Sequence, residues 1–135
     1  MSTFRYVKCE RCILVVEDDA DLRDALTTCL QNSGCCTAVA ADGLDALERL
    51  KGSPQPCLIL LDVNMPRLDG GAFAERLRND ERLRHIPVVS MSAGDSRLVP
   101  PLVHSHLEKP FDFAELAAIV QRFCPNRAQE AAPAS

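Results

Sequence analysis

Residues 57–66 read Cys57-Leu58-Ile59-Leu60-Leu61-Asp62-Val63-Asn64-Met65-Pro66. Cys57 to Leu61 are apolar without a break, and the run stops on a carboxylate, Asp62. A short unbroken apolar run bounded by proline and glycine signals fits a strand buried on both faces, as in a parallel sheet. Pro66 and Asp69-Gly70 punctuate the loop that follows. Open α/β sheets place their chemistry outside the carboxyl ends of their strands. What the acid at the end of this strand does is therefore the functional question.

Upstream, Ile13-Leu14-Val15-Val16 is a second apolar run, and it too ends on acids, Glu17-Asp18-Asp19. Leu22, Ala25, Leu26, Cys29 and Leu30 then fall on one face of a helix. Asp19 and Asp21 lie near its start, where the dipole favours them, and Gly34 is a plausible stop. Residues 36–41 form a weaker strand candidate. Asp42-Gly43 reads as a turn, and residues 44–51 as a short helix with Leu47 and Leu50 inward. Residues 52–56 have the composition of a loop.

Downstream, a helix over about 71–79 carries Phe73, Ala74 and Leu77, and residues 87–92 read as a fourth strand. A helix should follow, but Pro100-Pro101 leaves room for one or two turns at most. Residues 103–108 make a short fifth strand ending on Lys109-Pro110. Asp112 with Glu115 opens the last helix in a capping-box pattern. Its apolar face is Phe113, Leu116, Ala117, Val120 and Cys124.

Strand and helix thus alternate five times, with one damaged helix. Such alternation implies an α/β fold, a parallel sheet covered on both faces. Length fits one domain. It occupies 12–124, with an N-terminal leader at 1–11 and a disordered tail at 125–135.

A formal charge of −4 argues against a nucleic-acid surface. No apolar run is long enough to span a bilayer, and the first residues lack the apolar core of a signal peptide. A cytoplasmic protein with no nucleic-acid or membrane partner is expected. Seven cysteines are then read as reduced thiols, with Cys29, Cys57 and Cys124 as small core residues. Cys9-x-x-Cys12 is half of a zinc knuckle with no second half, so incidental thiols are the favoured reading. Cys35-Cys36 could approach it if the first two strands pair.

In a parallel sheet every carboxyl end points the same way, which gathers Glu17, Asp18, Asp62, Ser92 and Lys109 at one edge. Clustered carboxylates repel unless a cation joins them, and a hard divalent ion such as Mg²⁺ suits oxygen ligands. An acid nucleophile, a divalent cation, a lysine and a hydroxyl together suit transfer of a phosphoryl group to Asp62.

On these residues the chain resembles a response-regulator receiver domain of two-component signalling. The matching pieces are Val-Val-Glu17-Asp18, Leu-Leu-Asp62-Val-Asn64-Met-Pro66-x-x-Asp69-Gly70, Pro87-Val-Val-Ser-Met-Ser92-Ala93 and Lys109-Pro110-Phe111. They span roughly Cys12 to Cys124 in the family's order. The resemblance implies a flavodoxin-like sheet of order 2-1-3-4-5. It implies Asp62 as phospho-acceptor and Asp18 as direct metal ligand. Glu17 would act through water, and the backbone carbonyl of Asn64 would complete the protein ligands of Mg²⁺. Ser92 matches the switch hydroxyl, Lys109 the phosphoryl-binding lysine, and Pro110 a proline often preceded by a cis bond. The implied partner is a sensor histidine kinase or histidine phosphotransfer protein, and output goes to an unknown partner protein.

Three features depart from the family pattern. The interval from Ser92 to Lys109 is short, so the helix between the last two strands is expected to be reduced or absent, with output through that surface altered. His106 stands where the family commonly has an aromatic that reorients on activation, and that coupling is expected to be weaker. His104 shares its face by period two, which makes a two-histidine metal site conceivable. The third departure is the Cys9-Cys12 pair. A stand-alone phospho-receiver is the reading taken here. A pseudo-receiver that binds partners without phosphorylation is the alternative. A Mg²⁺-dependent phosphohydrolase would need a second acid two residues after the nucleophile, and that position is Asn64.

Overall fold

The chain is described here from a computed structural model over residues 12–52, 55–63, 70–92 and 104–124. β1 (Ile13–Val16), β2 (Thr37–Ala40), β3 (Leu58–Asp62), β4 (Val88–Ser92) and β5 (Ser105–Glu108) form one parallel sheet of order β2-β1-β3-β4-β5. The helices among the described residues are α1 (Ala20–Asn32), α2 (Gly43–Leu50), α3 (Gly70–Arg78) and α4 (Phe113–Phe123).

Side chains alternate across a strand, and here the alternation splits the core into two layers. Ile13, Val15, Leu58 and Leu60 pack under Leu26 and Leu30 of α1 and Leu116 and Val120 of α4. Leu14, Val16, Ile59 and Leu61 pack under Ala46 and Leu50 of α2 and Phe73 and Leu77 of α3. β1, β3 and β4 are buried at every position. That is why β1, and β3 up to Asp62, read as continuous apolar runs rather than alternating ones, while β4 buries two serines among its apolar residues.

Local chemistry sets the helix ends. Asp19 caps α1 by accepting from the amides of Asp21 and Leu22, and Gly34 takes the left-handed φ of 91° just past its end. Asp42 is not part of an open turn but caps α2, accepting from the Asp45 amide at 2.8 Å. The helix therefore starts at Gly43. Asp112 and Glu115 form the reciprocal capping box expected at α4.

Three expectations need correction. Phe113 is 49% exposed. As the first residue of α4 its side chain tilts back beyond the helix start, off the core-facing stripe. Ala25 is exposed, at the margin of the α1 stripe. Cys12 and Cys36 are joined in a disulfide rather than standing as thiols. The register that pairs Ile13 with Thr37 puts these two cysteines opposite each other, with Cα atoms 4.5 Å apart. Cys29, Cys35, Cys57 and Cys124 carry thiols, and all four lie in or against the core layer of α1 and α4. Cys9, the leader, the tail and the segment of the expected reduced helix at 93–103 lie outside the described residues.

Phe73 is fully buried in the α2/α3 layer. Phe73→Ala is expected to cost about 3–5 kcal/mol of stability through lost burial and the cavity left behind. Urea denaturation of the two proteins checks this.

Candidate functional site

Parallel pairing aligns the strand ends, so the row beyond Val16 and Leu61 brings Glu17 beside Asp62. Backbone bonds hold the Glu17 position. Its N–H donates to the Ala40 carbonyl at 3.1 Å, and its carbonyl accepts from Arg23 Nη1 at 2.9 Å. The Glu17 side chain is folded inward and is 1% exposed. Asp62 ends the central strand and is also buried, while Asp18 is exposed at the start of the turn into α1.

One carboxylate oxygen from each of Glu17, Asp18 and Asp62 lies within 4.8 Å of the others. Lys109 follows β5 and reaches across the edge. Its Nζ donates to Glu17 Oε1 at 3.2 Å and lies 3.5 Å from Asp62 Oδ1. Its own amide donates to the Ser92 carbonyl at 2.6 Å, which ties it to β4, and the Lys109–Pro110 bond is cis as expected. Glu17 Oε2 accepts from the Asp19 amide at 3.2 Å, so the residue that caps α1 also steadies the buried acid.

Two of the three carboxylates, Glu17 and Asp62, thus share the Lys109 ammonium. Burial pushes the Glu17 carboxyl up to about 7, the Asp62 charge adds to the rise, and Lys109 and the Asp19 amide oppose it. The cluster has the donor set of a hard divalent ion: oxygen ligands, excess negative charge, and one exposed side facing solvent. The residues fit such an ion.

Of the site residues expected from sequence, Glu17, Asp18, Asp62 and Lys109 come together directly. Asn64 lies outside the described residues. Ser92 ends β4, next to the strand that carries Asp62, and is fully buried. Its hydroxyl lies 3.1 Å from His106 Nε2. His106 is therefore linked to the site through Ser92, and its other nitrogen, Nδ1, sits 2.7 Å from Ser90 Oγ. Both ring nitrogens are engaged, and His104 Nδ1 accepts from the Val88 amide at 3.1 Å. The histidine pair is thus part of the β4–β5 seam rather than a metal site.

Ser90 is a partner of His106 that the sequence analysis does not single out. The available signal was two hydroxyls at period two inside an apolar strand, with a histidine on the neighbouring strand. The role of Arg23 in holding the Glu17 backbone carried no sequence signal.

The family model of the response regulator receiver domain matches residues 13–121. Protein PilG of Pseudomonas aeruginosa is 30% identical over 119 residues, covering 84% of this chain and 87% of PilG. The transcriptional regulator RpaA of Synechocystis is 33% identical over 114 residues. That match covers 81% of this chain but 47% of RpaA, so the chain spans about half the length of that relative. Among solved structures, the receiver domain of the sensor histidine kinase PA1611 from Pseudomonas aeruginosa superposes with a TM-score of 0.77 at 29% identity. The match covers 84% of this chain and 96% of that one, whose active-site cleft holds a coordinated magnesium ion. This chain belongs to the response regulator receiver domain family. Its acidic cluster is that of a phospho-accepting receiver domain, a class that is not an autonomous enzyme. No helix among the described residues is long and apolar enough to cross a membrane.

The raised Glu17 carboxyl has a definite pH signature. Its contribution to the stability of the metal-free protein is fully present below its ordinary value of 4.5 and is lost as pH rises through about 7. Cation binding needs the ionised carboxylate, so its pH dependence runs the opposite way. Apparent Mg²⁺ affinity is expected to fall as pH drops below about 7 and to lose this dependence in Glu17→Gln. Calorimetric titration across the range measures it.

Proposed function

We propose that Asp62 accepts a phosphoryl group from a phosphohistidine on a sensor histidine kinase or histidine phosphotransfer protein. We propose further that the receiver domain, residues 12–124, passes the signal to a partner protein by a change of shape. The observation that supports this reading most is the placement of Asp62, which is buried at the end of the central strand with Lys109 Nζ 3.5 Å from its oxygen.

In the transfer, an Asp62 carboxylate oxygen forms the new P–O bond as the P–N bond to the donor imidazole breaks. Lys109 already faces Asp62 and Glu17, so its ammonium can take up a phosphoryl oxygen with a small shift. Glu17, Asp18, Asp62 and the Asn64 carbonyl would hold Mg²⁺, which when bound neutralises charge on the phosphoryl oxygens. The Ser92 hydroxyl is the group that donates to the transferred phosphoryl.

Phosphorylation replaces the single carboxylate charge of Asp62 with a phosphoryl group carrying roughly −1.5 to −2 units, a net gain of up to about one negative charge at an edge already rich in acid. That charge pulls Lys109 and Ser92 towards it, and both are tied to the β4–β5 seam. The conformational response is therefore expected along β4, β5 and the segment joining them.

Incubation with a small phosphodonor and Mg²⁺ is expected to add the mass of one phosphoryl group to the intact protein, and Asp62→Asn is expected to abolish the gain. Unchanged mass in a protein that binds Mg²⁺ would favour the phosphorylation-independent module instead.

A further inference from the structure

The Ser90, His106 and Ser92 side chains form one continuous chain across the β4–β5 seam. Ser90 and His106 are register partners. Ser90 Oγ lies 2.7 Å from Nδ1, Ser92 Oγ lies 3.1 Å from Nε2, and the Ser90 hydroxyl reaches the Ser105 carbonyl at 3.5 Å. Both serines are fully buried, so water does not compete for these bonds. A ring held at both nitrogens by the same strand is a rung, not a rotor.

We propose that His106 is a positioning residue that sets which way the Ser92 proton points, and that loading Asp62 reverses the chain. The proposal rests on the phospho-acceptor reading of Asp62. A neutral imidazole has one donor and one acceptor nitrogen. With Asp62 unmodified, every group is satisfied when Ser90 donates to the Ser105 carbonyl, Nδ1–H donates to Ser90, and Nε2 accepts from Ser92. In that arrangement the Ser92 proton is committed to the ring. Ser92 can donate to a phosphoryl oxygen only by releasing Nε2, and the buried contact survives only if Nε2 becomes the donor to Ser92 Oγ. Ser90 then turns its proton to Nδ1. The net change moves one proton from Nδ1 to Nε2 and leaves the ring neutral.

Ser90 makes this reversal workable. It can donate to the carbonyl or to the ring, so Nδ1 has a partner in either state. An apolar residue at position 90 would leave Nδ1 without that partner, and an unmet buried polar group is costly.

The test is long-range ¹H–¹⁵N NMR of the histidine ring nitrogens, with and without beryllofluoride and Mg²⁺ as the phosphoryl mimic. The Asp62 and Lys109 amide shifts report occupancy. The expected result is that His106 Nε2 changes from an unprotonated to a protonated shift when the mimic binds, and that Ser90→Ala, which leaves Ser92 and the acidic cluster intact but removes the partner of Nδ1, binds the mimic with a clearly smaller change. Bound mimic with Nε2 unchanged overturns the proposal. So does an equal change in Ser90→Ala, because the reversal then does not run through the Ser90–His106–Ser92 chain. If the amides show no binding, the phospho-acceptor reading fails first and takes this inference with it.

Discussion

Glu17 and Asp62 are buried carboxylates held beside each other at the end of the sheet, and a single ammonium, Lys109, faces both. Burying like charges is costly unless something opposite in sign is close. Glu17 therefore holds its proton far above the usual carboxylate range in the metal-free protein. Such a strained cluster has the charge and donor set that a divalent cation would relieve.

The rest of the molecule keeps those groups from moving apart. Two apolar layers, one under α1 and α4 and one under α2 and α3, clamp the sheet from both sides. β1, β3 and β4 have no exposed face through which their ends could relax. Register does the fine placement. Val16 opposite Leu61 leaves Glu17 and Asp62 in the next row, and the Lys109 amide bound to the Ser92 carbonyl brings the lysine back over that row. The same seam carries the hydrogen-bonded histidine, so the acidic edge and the β4–β5 rung share one backbone.

The His106 imidazole is engaged at both nitrogens, 2.7 Å from Ser90 Oγ and 3.1 Å from Ser92 Oγ. In the proposed reversal, the ring's link to the acidic edge runs through hydrogen-bond direction rather than ring position. A phenol has a single polar end and cannot be held this way. Ser90, between Val89 and Met91 on β4, supplies the second partner.

Element types, the two-sided burial of the central strands, the cap at Asp112, and the acids at the strand ends were all legible from the amino-acid order. They depend on neighbours within a few residues, and a parallel sheet forces its strand ends to one edge whatever the details of packing. The partners that tertiary structure decided are distant in the chain: Lys109 with Glu17 across 92 residues, Cys12 with Cys36 across 24, Ser90 with His106 across 16. Each pairing depends on strand register, and a slip of one residue sends every side chain to the opposite face. The sequence suggested that Cys35-Cys36 could come near Cys12 if the first two strands pair, but which cysteine meets which, and which hydroxyl meets His106, was left to register.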